Sequence, residues 1–241
     1  MKKLLFLPAM IIASAIALTS CSDNNKDSYY GVYTYATVFE DDNNEEFGIL
    51  FETDYGKKIY VEENNTTVNI KNLTVGDRKV VGMKLVEATG DYTYSGSLFD
   101  IMAVSMGDCT TIESEEQNDA IADLALTLLN SNYSLGMGYL NLFIGFNTDD
   151  FKNAQYYLAN NEVVDPTTTK SGYLNLELRV DGSSDEDNNK ECFDYVSFNL
   201  ESFRELLEDK KGIMLRINTV DEDDEIQYVE ISSSKIFGDD E

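Results

Sequence analysis

Tyr173-Leu174-Asn175-Leu176-Glu177-Leu178-Arg179-Val180 sets four aliphatic side chains in strict alternation against tyrosine, amide and charge. A period of two marks a strand whose alternate residues stand on opposite faces. Neighbouring stretches repeat the reading. Residues 139–146 put Leu140, Leu142, Ile144 and Phe146 on one side, and residues 193–200 align Val196, Phe198 and Leu200. Residues 155–159 form a shorter candidate, and residues 213–220 and 226–231 flank an Asp221-Glu222-Asp223-Asp224 turn. A short helix is expected near 202–210, stopping at Gly212. Six or seven short strands over about a hundred residues predict an immunoglobulin-like β-sandwich, placed at residues 133–235.

A second group of strands lies upstream. Val32-Tyr33-Thr34-Tyr35-Ala36-Thr37-Val38-Phe39 is rich in β-branched and aromatic residues, and residues 40–46 form a polar turn into a strand at 47–53. Asp54-Tyr55-Gly56-Lys57 connects tightly into Lys58-Ile59-Tyr60-Val61. A polar link, 64–77, carries Val68, Ile70 and Leu73. Val81, Met83 and Leu85 share a face of 80–88, and a fifth strand spans 97–105 around Leu98, Ile101 and Val104. Five strands with short turns and one longer link suit an OB-like barrel over residues 29–108. Between the domains, residues 109–132 read as a helical linker segment. Ser114 and Gln117 have capping-box spacing, and Ile121, Leu124, Ala125, Leu128 and Leu129 recur at helical intervals, a stripe expected to plug a barrel end or the domain seam. Asn130-Ser131-Asn132 is expected to end that helix and mark the boundary. The fold class predicted is all-β: an N-terminal OB-like five-stranded barrel, then an immunoglobulin-like sandwich, with one short helix between them.

Residues 1–20 have the basic start and short apolar run of a signal peptide. The run closes on Leu18-Thr19-Ser20-Cys21, which resembles the lipobox of bacterial lipoproteins, whose cysteine is acylated and becomes the first residue. Cys21 is therefore the expected lipidation site, with palmitate-type chains as its membrane anchor. Residues 21–28 then form a polar tether. An acidic stretch behind the cysteine resembles the export signal of surface lipoproteins in Bacteroidota, although Asn24 and Asn25 stand where a stronger signal has acids. The expected location is the outer membrane, with display at the cell surface.

Net charge is −27, and removal of Lys2 and Lys3 makes it more negative still. Phosphate backbones are repelled by such a chain, so nucleic acid is not an expected partner. The absence of histidine removes the commonest general base and imidazole zinc sites. No Gly-rich phosphate loop opens a helix, and no serine sits in a Gly-x-Ser-x-Gly elbow. The chain is expected to be non-catalytic and to need no cofactor. Cys109 and Cys192, read as lying in different domains, are expected to stay unbonded, although an exported compartment permits a bridge. Asp185, Asp187 and Asn189 offer oxygens at alternate positions, as calcium prefers. Lys190 stands where an EF-hand needs glycine and Val196 where it needs glutamate, so a solvated hairpin is the plainer reading. Tyr33, Tyr35 and Tyr60 offer rings that could stack on sugars or simply pack, and the chain has no tryptophan.

Four pieces in order carry a family resemblance: Tyr33-Thr34-Tyr35-Ala36-Thr37-Val38, Phe99-Asp100-Ile101, Gly138-Tyr139-Leu140-Asn141-Leu142 and Tyr195-Val196-Ser197-Phe198-Asn199-Leu200. With the lipobox, they make the chain resemble the NigD-like lipoproteins of Bacteroidota, over nearly all of its mature length. The resemblance implies an OB-like domain followed by a β-sandwich, and no catalytic residue. The expected function is a non-catalytic envelope binding or scaffold module for protein partners. The alternatives are a glycan-binding surface lipoprotein and a bacteriocin-associated immunity-type protein, the last suggested by the gene cluster behind the family name.

Overall fold

The computed structural model describes residues 30–42, 46–87, 94–166, 168–182, 190–219, 226–233 and 236–237. Cys21 and the tether lie outside the described residues, as do Asp185, Asp187 and Asn189. Among the described residues, no helix is long and apolar enough to cross a membrane.

Strands β1 (Tyr30–Glu40), β2 (Ile49–Thr53), β3 (Lys58–Asn64), β4 (Arg78–Glu87) and β5 (Tyr94–Ala103) close into the expected barrel, in the order β1-β2-β3-β5-β4 with β4 returning to β1. Ala36 and Val38 of β1 point inward with Phe51, Ile59, Val61, Val81, Met83 and Leu98. The long link contributes a plug. Asn69 caps a 3-10 turn (Ile70–Asn72) by accepting from the Lys71 amide, and the turn drops Ile70 into the barrel core at 1% exposure. Burying such a side chain contributes about 1.5–3 kcal/mol.

The remaining strands are β6 (Ser105–Ile112), β7 (Leu126–Gly136), β8 (Tyr139–Thr148), β9 (Gln155–Asn161), β10 (Tyr173–Asp181), β11 (Lys190–Asn199), β12 (Gly212–Asn218) and β13 (Ile226–Ser232). They form one eight-stranded sheet, β13-β12-β10-β9-β6-β11-β8-β7, curled so that Leu140, Leu142, Ile144, Leu176, Leu178, Val196, Phe198, Leu215 and Ile217 share one core. The strand common to both halves is β6. Its first residues pair with Val196–Phe198 of β11 and its last with residues 157–161 of β9, both in parallel. The outer edges approach each other again, since Leu126 bridges Thr219 and the Tyr133 hydroxyl donates to the Glu230 carbonyl. An edge turned inward this way is a poor template for aggregation.

Residues 109–132 differ from the helical linker expected of them. The cap is real: Ser114 Oγ accepts from the Gln117 amide at 3.3 Å, and Gln117 Oε1 accepts from the Glu113 amide at 2.7 Å. Yet the helix, α1, covers only Glu115–Ala120. Arg179 stops it by donating to the Asn118 and Ile121 carbonyls, which would otherwise continue the helical ladder. Beyond it, Leu124, Leu126 and Leu128 also satisfy a period of two, and the edge of β8 takes the chain from Leu126 onward as a strand, Leu126 opposite Phe146 and Leu128 opposite Ile144. Asn130-Ser131-Asn132 lies inside β7, where the register shifts, and ends no helix. The helix expected near 202–210 is a 3-10 turn (Leu200–Phe203) leading into α2 (Arg204–Leu207), with Phe203 and Leu207 buried. Cys109 and Cys192 are free and half-buried, both in the large sheet and not in separate domains.

Candidate functional site

The barrel and the sandwich meet on a buried polar cluster centred on Arg78, the first residue of β4. All five guanidinium N–H groups are used. Nε donates to Ser197 Oγ at 3.3 Å, Nη1 to Thr37 Oγ1 at 2.9 Å and Asp54 Oδ1 at 2.7 Å, and Nη2 to Asp54 Oδ2 at 2.7 Å and Asn141 Oδ1 at 2.9 Å. The Tyr139 ring lies against the guanidinium at 4.1 Å. Asn141 donates in turn to Asp54 and Ser134, and the Ser197 hydroxyl donates to Asn141. Thr37, Asp54 and Arg78 come from the barrel; Ser134, Tyr139, Asn141 and Ser197 come from the sandwich. The Arg78 and Asp54 side chains are 1% and 4% exposed. Desolvating such a pair is costly, and it survives here because every donor has an acceptor. Burial pushes the Asp54 carboxyl above its ordinary value, while Arg78 and then Asn141 pull against that.

Close backbone contact completes the joint. A Cβ on Gly136 would stand 2.6 Å from the Asp54 carbonyl oxygen, so the β7–β8 hairpin reaches the β2–β3 turn only because residue 136 has no side chain. Tyr35 adds a hydrogen bond from its hydroxyl to the Leu142 carbonyl at 3.1 Å, and burial holds its phenol far above the ordinary range. The first strand is apolar on both faces for this reason: one face fills the barrel and the other receives the sandwich.

Around this joint lies a face of aromatic rings that crosses from one domain to the other. On the barrel, the register shifts between Gly82 and Met83, so that Phe99 and Asp100 together oppose Gly82. This β-bulge turns both side chains outward. A Cβ at residue 82 would fall 2.7 Å from Phe99 and 2.9 Å from Tyr33, so the two rings occupy the space that glycine leaves. They meet edge to face, with centroids 5.4 Å apart at 89°. The Tyr33 hydroxyl donates to Asp100 Oδ2 at 3.2 Å, and the Ile101 amide donates to Oδ1 at 2.9 Å. On the sandwich, Tyr195 sits edge to face with Tyr35 at 6.1 Å, stacks on Phe143 at 4.4 Å, and Phe143 stacks on Phe193 at 6.1 Å. Phe193 covers Gly145 much as Tyr33 covers Gly82. Tyr33 is 40% exposed and Phe193 43%. Burial and then Asp100 raise the pKa of both the Tyr33 and Tyr195 phenols.

The three candidate tyrosines have different surroundings. Tyr33 belongs to this aromatic face. Tyr35 is 7% exposed and committed to the joint. Tyr60 lies opposite Leu50 and Ser95, in a separate cross-strand row on the far side of the barrel from the β1–β4 pair. Gly82, Gly145, Phe143 and Phe193 had no motif to announce them. The available signal was the two-sided apolar character of β1, which implies a second packing partner.

Residues 109–232 match the family described as the NigD-like C-terminal beta sandwich domain, beginning within β6. No curated protein matches the chain. Among solved structures, a Bacteroides vulgatus protein of unknown function superposes with a TM-score of 0.70 at 21% identity, covering 85% of this chain and 91% of that one. A Bacteroides fragilis candidate lipoprotein gives 0.58 at 12% identity, covering 86% and 99%. A NigD-like immunity protein from Bacteroides caccae gives 0.55 at 16% identity, covering 82% and 90%. These likenesses establish a shared fold, and with the match over more than half its length the chain belongs to the NigD-like family.

Proposed function

We propose that this protein is a non-catalytic lipoprotein of the cell envelope, anchored through Cys21, that docks a protein partner on the aromatic face across its two domains. The carrying observation is the continuity of that face. Tyr33 meets Phe99 on the barrel, Tyr195, Phe143 and Phe193 stack on the sandwich, and the buried Tyr35, two residues along β1 from Tyr33, joins the two groups through Tyr195, while the Arg78 joint holds the halves in register. A preorganised surface of large rings, half-exposed over a rigid sheet, is the composition that protein interfaces favour at their centres.

The way the rings pack favours a protein over a glycan. Sugar platforms need open ring faces. Here Phe193, Phe143 and Tyr195 stack on one another at interplanar angles of 28° and 26°, and Tyr33 is braced against Phe99. The sandwich rings spend their faces on each other, leaving a rim suited to apolar side chains. The lipobox and the acidic stretch behind Cys21 support outer-membrane placement and surface display, and the shared fold of the Bacteroides fragilis candidate lipoprotein supports an envelope role. The test is chemical crosslinking in intact cells, with the wild type compared against a Tyr33→Ser/Phe193→Ser variant. The reading expects one protein adduct, depleted in the variant while the protein's own level is unchanged. An undiminished adduct, or a glycan array bound with loss in Tyr33→Ala, would reverse it.

A further inference from the structure

We infer that Asp100, hydrogen-bonded by Tyr33 beside the Phe99 ring, is the seat for a basic side chain, arginine in particular, presented by the docked protein partner. The inference rests on the docking reading above and names the group that the face selects. Its first support is the bulge, which spends a residue of β5 to bring a carboxylate and a phenyl ring to one point beside Gly82. The Tyr33 hydroxyl takes one lone pair of Oδ2, and the Ile101 amide takes one of Oδ1. A carboxylate has about four such sites, so acceptor capacity remains on both oxygens. Tyr33 and Phe99, meeting at 89°, form an aromatic corner around it. Rings beside a carboxylate favour a planar guanidinium, which can lie on an aromatic face while its N–H fork meets the two oxygens.

The second support is charge. The chain carries 45 acidic residues against 18 basic ones. Its four arginines are all engaged internally: Arg78 with Asp54, Arg179 with Glu177, Arg204 with Glu201 and Arg216 with Asp123. Among the described residues no lysine or arginine forms an ion pair with Asp100. The protein therefore leaves this carboxylate unneutralised within an aromatic surface, and a partner with matching charge gains both contacts at once.

The test uses the lipidated protein purified in a neutral detergent, probed by saturation-transfer NMR with N-acetyl-arginine amide and with its uncharged isostere, N-acetyl-citrulline amide. The arginine probe is expected to bind about tenfold more tightly than citrulline, with the difference abolished in Asp100→Asn and reduced by high salt. Asparagine can turn its oxygen to the Ile101 amide and donate from its amino group to the Tyr33 hydroxyl oxygen, so that variant should keep its melting temperature; Tyr33→Phe, which keeps the ring and frees Oδ2, should retain the preference. Equal binding of the two probes, or an arginine preference that survives Asp100→Asn, overturns the inference. Cellular adducts undiminished in Asp100→Asn also overturn it, while leaving docking on the aromatic face intact.

Discussion

Replacing Arg78 with methionine probes the joint directly. The change leaves Asp54 charged, 4% exposed, and without the bidentate partner that now sits 2.7 Å from both of its oxygens. It also strips an N–H from Ser197, Thr37 and Asn141. Breaking a buried pair by removing one member typically costs about 3–5 kcal/mol. For a chain of this size each kcal/mol lowers Tm by about 2–4 °C, so a fall of about 6–20 °C is expected by calorimetry. The double variant Arg78→Met/Asp54→Leu removes the stranded charge and should recover part of the loss, giving strong coupling in a double-mutant cycle. The pH dependence has a definite sign. Burial already raises the Asp54 pKa, and without Arg78 nothing of equal strength opposes it. A group with a raised folded pKa stabilises the fold below its unfolded pKa and loses that contribution as pH rises. The penalty of Arg78→Met should therefore shrink as pH falls toward 4. A loss under about 1 kcal/mol, or additive single and double variants, would refute the view that this pair locks the domains.

Gly136→Ala places a methyl group 2.6 Å from the Asp54 carbonyl and should cost about 1–3 kcal/mol in urea denaturation, whereas Gly31→Ala, with nothing within 4 Å, should be close to neutral. Burial raises the Tyr35 and Tyr156 pKa values, so their contribution to stability is intact below about pH 10 and is lost above it. Absorbance titration should show two phenols ionising only on unfolding, one fewer in Tyr35→Phe. Burial pushes the Cys109 thiol up to about 11, and its reaction with Ellman's reagent at pH 8 should be far slower in the native protein than in urea. Cys21→Ser should move the protein from the membrane to the soluble fraction without lowering Tm, as fractionation and calorimetry can show.

Much of the architecture is written in local pattern. Strands with one face on a core, such as β10 with Leu174, Leu176, Leu178 and Val180, show it as a period of two, and the five barrel strands follow from the same rule. The failures occur where local pattern is degenerate. Residues 124–129 satisfy both helical and strand spacing, and the decision came from the unpaired edge of β8 and from Arg179, 58 residues away from the Ile121 carbonyl it captures. β6 carries little apolar pattern, since Ile112 alone of its apolar residues is fully buried and the rest of the strand is held by parallel pairing on both sides. The joint was illegible for a related reason. Arg78 and Asp54 look like ordinary surface charges, and only a three-dimensional meeting of turn, strand and second domain reveals them as buried. Likewise Tyr33 was visible as an aromatic candidate, whereas the glycine beneath it and the bulge beside it have meaning only in the strand register.

On the proposed function, one aromatic surface spans two domains and meets one protein. Photo-crosslinking amino acids at positions 33 and 193, on either side of the joint, test it in intact cells, with position 68 on the exposed barrel link as the control. The account predicts that probes 33 and 193 capture the same protein, of one mass, and that probe 68 does not. Capture of different species from the two positions, or equal capture from all three, would contradict it.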